Sequence, residues 1–221
     1  MPVLREKIPY FVLSMIAGAV TFIAQHAGGA VASMEDYPIQ LRLLNACRSM
    51  LFYLVQLLWP AQLVPLYPYQ QHSSGLVLQH YLCVAIVVCI TIICLRRLRR
   101  GHPLLFVLWG AYLVMLLPVL GIIQVGLQAA ADRYAYLPSI SIFVICAGAL
   151  SWLYERISIS RNRFVWRGIL LMSCGAVMVI MGRLTVQQIA VWKNSYSLWS
   201  YVNMKYPDRI FFANYNLGMA Y

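Results

Sequence analysis

Five apolar stretches, about Ile8 to Gln25, Gly75 to Leu95, Leu104 to Val119, Leu137 to Leu153 and Gly168 to Gly182, alternate along the chain with polar or basic connections. With short helical extensions each reaches roughly 16–20 residues, enough for a helix to cross a hydrocarbon core about 30 Å thick. A sixth run, Leu41 to Trp59, has a different pattern. Arg42, Asn45, Ser49 and Gln56 recur at helical spacing and make one polar stripe on a background of Leu, Met, Phe and Val. Such a helix suits the membrane interface, a re-entrant position or the wall of a wet cavity. The alternative is a sixth span whose arginines snorkel outward or face other helices. The pattern predicts an all-α polytopic membrane protein with about five transmembrane helices plus one amphipathic interfacial or re-entrant helix.

Composition agrees: of 221 residues, 62% are hydrophobic and 10% charged, against about 25% charged in soluble domains. The formal charge of +11 would suggest nucleic acid in a soluble protein, but its placement gives another reason for it. Arg5 and Lys7, then Arg96, Arg97, Arg99 and Arg100, then Arg156, Arg161, Arg163 and Arg167 make up more than half of the 17 basic residues. All three groups share one side if Leu41 to Trp59 does not cross, and the excess of Lys and Arg marks that side as cytoplasmic. The expectation is a cytoplasmic N-terminus, an extracytoplasmic C-terminus, anionic lipid as the partner of the basic ends, and no nucleic acid. Pro9 and the absence of a small-residue cleavage site argue for a retained first span rather than a signal peptide.

On that topology the connection Ile122 to Pro138, IIQVGLQAAADRYAYLP, is extracytoplasmic and unusually polar. Gln124, Gln128 and Asp132 are four apart and would share one face if the segment were helical. Arg133, the only basic residue in the connection, suits a lipid phosphate or diphosphate, which a guanidinium can grip with paired donors. Tyr134 and Asp132 would help shape such a site. The simpler reading is an Asp–Arg and Tyr cluster that closes helix ends. An acid beside an arginine is more naturally an ion-pair partner than a base.

Other segments carry weaker signals. Glu35 and Asp36 are the only adjacent acids and lie in a long connection, where solvation is the simpler role. The prolines and aromatics of WPAQLVPLYP suit an interfacial anchor or an aromatic groove for a sugar or isoprenoid. His26, His72, His80 and His102 are scattered, and Cys47, Cys83, Cys89, Cys94, Cys146 and Cys174 have no metal-ligand spacing and read as buried thiols. No metal or cofactor is expected. Asn214-x-x-Leu217-Gly218-x-x-Tyr221 matches part of the first helix of a tetratricopeptide repeat. Residues 1–183 thus form the membrane domain, and 184–221 an extracytoplasmic helical segment leading into the start of a repeat.

Taken together, EKIPYFVLS with TFIAQ and GGAV, RLLNA, WPAQLVPLYP, LPVLGIIQVGLQAAADRYAYLPSI, the WKNS turn and ANYNLGMAY resemble bacterial relatives of the transmembrane and tetratricopeptide-repeat O-mannosyltransferases. These belong to the GT-C glycosyltransferase superfamily. The resemblance implies a bacterial inner (plasma) membrane protein and a polyprenyl-phosphate-linked sugar as donor substrate for protein O-glycosylation on the outer face. It also implies extracytoplasmic protein acceptors engaged by the repeat array. It further implies that the chain corresponds to the later part of such a membrane region, without the acidic catalytic loop. On this reading Arg133 is the first candidate for the lipid phosphate and Arg42 the second, with Gln124, Gln128, Asp132 and Tyr134 shaping the pocket. A membrane-anchored scaffold presenting a repeat array is the competing reading. A transporter is weaker, because no span carries an ionisable residue near its middle.

Overall fold

The computed structural model describes residues 2–28, 39–68, 74–122, 128–159, 162–207 and 211–220, and these are helical almost throughout. Their order is α1 (Pro2–Ala27), α2 (Ile39–Leu58), β1 (Tyr67–Pro68), α3 (Ser74–Arg99), α4 (Leu104–Leu116), β2 (Gln128–Ala130), α5 (Tyr136–Ser158), α6 (Arg163–Val191), α7 (Ser195–Lys205) and α8 (Phe211–Met219). Short 3-10 turns at Leu117–Val119 and Asp132–Ala135 flank the connection between α4 and α5. Four helices, α1, α3, α5 and α6, are long and apolar enough to cross a membrane, and Leu104–Val119 is a shorter apolar helix. Their large apolar side chains point outward, as Phe143, Leu171, Met172 and Val179 do. A surface of this kind is at home against lipid, where every backbone group is already satisfied within the helix.

Consecutive helices pack side by side: α3 on α4, α4 on α5, α5 on α6. The turn after α3 depends on Gly101, whose φ of 81° lies in the left-handed region that glycine adopts without strain. It lets the His102 amide donate to Arg97 O at 3.0 Å, closing the helix end. Arg96, Arg97 and Arg99 occupy that last turn, where cations favour the helix dipole. At the α5–α6 turn Arg167 donates to Ser158 Oγ at 2.6 Å and lies over the Tyr154 ring. Both basic clusters therefore sit at one end of the bundle.

The opposite end is closed by α2 and the β1–β2 ladder. Trp109, Tyr112 and Leu116 of α4 are buried against Ala46 and Tyr53 of α2 and against Val64, Leu120 and Val202. Trp109 donates to Thr91 Oγ1 at 3.0 Å, and the Tyr112 hydroxyl donates to the Met50 carbonyl. The stripe on α2 faces other parts of the protein rather than the interface, and its Ser49 and Gln56 also line a small pocket, as the wall of a wet cavity would. Arg42 is 2% exposed and Asn45 and Ser49 are buried, whereas Val55 and Leu58 are 61% and 67% exposed. Arg42 finds a partner inside, its Nη1 donating to Ile122 O at 3.4 Å, whereas Asn45 Nδ2 is buried without a hydrogen-bond partner among the described residues. Farther along α2, Tyr53 receives the Ala131 amide at 3.1 Å. Both contacts reach the same α4–α5 connection, although their donor and acceptor on α2 are roughly 16 Å apart along the axis.

The expectation of buried cysteines needs correction. The thiols are free, and only Cys94 is buried; Cys89 and Cys146 are exposed on outward apolar faces. They are apolar-surface residues rather than core residues, because the bundle presents its apolar side outward. At the far end of the chain α7 packs on α8. Asn194 caps α7 by accepting the Ser197 amide at 2.8 Å, while Ser197 Oγ accepts the Asn194 amide at 3.3 Å. This reciprocal pair satisfies two of the otherwise orphaned donors.

Candidate functional site

The condition for Gln124, Gln128 and Asp132 to share a face, a helical connection, is not met over its described part. Gln128–Ala130 is strand β2, paired antiparallel with β1 through Tyr67↔Ala130 and Pro68↔Gln128, so Gln128 and Asp132 do not share a helix face. The backbone hydrogen bonds that a helix would have made locally go instead to WPAQLVPLYP, which is thereby more than an interfacial anchor. Gln124, Glu35, Asp36 and His72 lie outside the described residues.

The expected Asp132–Arg133 pair is also replaced. Asp132 is half-buried and its Oδ1 accepts the Tyr67 hydroxyl at 2.9 Å. Its Oδ2 is buried without a hydrogen bond among the described residues. Tyr67 is the hub of this arrangement, since its oxygen also receives Gln56 Nε2 at 3.2 Å and the Val64 amide at 3.4 Å. Burial, with the charge and hydrogen bond of Asp132 adding to it, pushes the Tyr67 phenol far up, so it stays a neutral donor. Arg133 points the other way. It is exposed, donates to Pro65 O at 3.5 Å and to the Tyr134 hydroxyl at 3.4 Å, and lies over the Tyr134 ring.

Two pockets lie back to back across the Tyr67–Asp132 hydrogen bond. The first is a mainly apolar cleft of about 440 Å³. The connection after α2 lines it with Pro60, Leu63 and Pro65; Asp132, Arg133 and Tyr136 form one rim, and Thr185, Gln188, Ile189 and Trp192 of α6 form the other. Gln188 ties the α6 rim to the connection after α2 by donating to Leu63 O at 2.7 Å. The second is a smaller pocket of about 200 Å³ with Tyr67 in its wall and Arg48 and Lys205 among its lining residues. Arg133 and Asp132 are thus brought together on one cleft. Arg42 lines neither pocket, being held on the buried face of α2.

Sequence reasoning missed Thr185, Gln188 and Trp192, although their spacing of three and four was a readable stripe at the end of an apolar run. It also missed Arg48 and Lys205, whose proximity arises only in the folded chain. Among the described residues no group of three or more His, Cys, Asp or Glu could hold a metal ion.

Fold and site define an all-α protein with several helices suited to a membrane and a cleft at one end of the bundle. No family model, curated protein or solved structure matches the chain.

Proposed function

We propose that this chain is the membrane part of a glycosyltransferase-like protein that binds a polyprenyl-phosphate-linked sugar at the outer face of a bacterial inner membrane, for protein O-glycosylation. The observation that supports this reading is the cleft itself: a mainly apolar groove with one exposed guanidinium, Arg133, at its rim. An isoprenoid chain suits the Pro60–Pro65 and Ile189–Trp192 walls, and its phosphate suits Arg133, already oriented by Pro65 and Tyr134. The Asp132 carboxylate on the same rim is held in place by the Tyr67 hydroxyl. Arg133 and Asp132 serve donor binding here; neither is assigned the proton transfer.

In this reading α1, α3, α4, α5 and α6 cross, and α2 lies across the outer end. The support is that both ends of α2 reach the α4–α5 connection, while the basic clusters sit at the other end, as the positive-inside rule requires of the cytoplasmic side. The α7–α8 pair begins the repeat array that engages protein acceptors. That pair equally suits the competing reading, a membrane-anchored scaffold for protein partners.

The test is binding of a short polyprenyl phosphate and of the matching alcohol to the chain in lipid nanodiscs, followed by transfer of a labelled polyprenyl-phosphate sugar to protein. A charge-assisted contact of about 1.5–3 kcal/mol makes the Arg133→Gln variant bind the phosphate some tenfold or more weakly, with alcohol binding unchanged. Equal binding of phosphate and alcohol, or no effect of the variant, overturns the donor reading and leaves the scaffold.

A further inference from the structure

The smaller pocket holds a feature that donor binding in the cleft does not use. Arg48 of α2 and Lys205 at the end of α7 both line it, together with Ser49, Gln56, Gln62 and Tyr206. Among the described residues no carboxylate lines it. Asp132, whose charge acts on Lys205, is on the other side of Tyr67 with one oxygen committed to that hydroxyl.

Both cations are partly withdrawn from water. Burial lowers the pKa of the Arg48 guanidinium and of the Lys205 ammonium, the latter opposed by the charge of Asp132. Lys205 Nζ donates to the Gln62 carbonyl at 2.6 Å, and Gln62 holds a left-handed φ of 60°, uncommon for a residue with a side chain. The carbonyl fixes the ammonium without neutralising it. Among the described residues the Arg48 guanidinium has no hydrogen-bond partner. Two half-buried cations facing one small pocket are unfavourable unless an anion joins them.

We propose that this pocket is a binding site for a phosphate monoester group, held between Arg48 and Lys205 and separate from the Arg133 cleft. Charge count selects the ligand class: a phosphate dianion balances two cations, whereas a carboxylate leaves one uncompensated. The fork of the guanidinium takes two phosphate oxygens and the ammonium a third. Ser49 supplies a further hydroxyl, and a pocket of about 200 Å³ takes one such group with a few waters rather than a nucleotide. The group can arrive as free phosphate or as a lipid headgroup, since the chemistry recognised is the same. The proposal does not depend on a sugar donor in the cleft.

The experiment uses the full chain in phosphatidylcholine nanodiscs titrated with inorganic phosphate by calorimetry, and in a second arm nanodiscs containing phosphatidic acid, with thermal midpoint as the readout. Saturable binding of phosphate identifies a soluble ligand; a raised midpoint with phosphatidic acid alone identifies a headgroup. Either result supports the site if Arg48→Gln and Lys205→Gln each reduce it tenfold or more while Arg133→Gln does not. If Arg48→Gln fails to fold, Lys205→Gln alone carries the comparison, its midpoint in phosphate-free buffer showing that it is folded. No response in both arms, a response indifferent to Lys205→Gln, or one removed by Arg133→Gln overturns the proposal.

Discussion

Replacing Tyr67 by Phe tests the partition between the two pockets. The ring would remain packed edge-on against Phe52, at 4.8 Å between centroids, so the change isolates the hydroxyl. Three interactions meet there: the bond to Asp132 Oδ1 at 2.9 Å and those from Gln56 Nε2 and the Val64 amide. A hydrogen bond to a charged group contributes about 1.5–3 kcal/mol, and a buried amide left without a partner costs about 1–3 kcal/mol. Val64 is fully buried, so its amide has no water to turn to, whereas Gln56 lines the small pocket and can. The expected loss is about 3 kcal/mol, measured as unfolding of the purified chain in mixed micelles by tryptophan fluorescence. A cycle with Asp132→Ala should give a coupling of about 2 kcal/mol, since the two groups share one bond. A Tyr67→Phe loss below about 0.5 kcal/mol, or additive single changes, would refute the hub.

Two further outcomes follow from the same geometry. Arg42→Met should cost about 2–3 kcal/mol in the same unfolding assay, because it strips the Ile122 carbonyl of a buried donor; a neutral effect would mean that Arg42 is solvated rather than enclosed. Asn194→Ala should cost about 1 kcal/mol and speed hydrogen exchange at the Ser197 amide, the capped donor, and unchanged exchange there would show that the cap contributes nothing.

The helices suited to a membrane were legible because a lipid-facing surface is a property of composition, and long apolar runs cannot hide it. The stripe of Arg42, Asn45 and Ser49 was equally visible, but not its direction. In water a polar stripe faces out, whereas beside lipid the same stripe turns in, and a single sequence does not say which solvent surrounds the helix. Spacing misled at Gln128 and Asp132, since a period of four residues is informative only where the backbone is helical; here pairing with Tyr67 and Pro68 won. Adjacency misled at Asp132 and Arg133, where the carboxylate found a hydroxyl 65 positions away. Arg133 kept its place at the rim of a pocket, while Arg48 and Lys205 had no local signal at all.

The segment after α2 has an unusual schedule of completion. Its groups acquire their partners late in synthesis: Tyr67 from Asp132, Leu63 from Gln188 across 125 positions, and Gln62 from Lys205 across 143. A nascent chain that has emerged only as far as α4 therefore carries these carbonyls and this hydroxyl open, and each later helix closes one more of them. Such long-range closure makes assembly slow relative to the local pairing of α3 with α4. The cleft is complete once α6 docks, whereas the smaller pocket waits for Lys205 at the end of α7, so a ribosome stalled before Ser195 would leave a bundle with the first pocket and without the second.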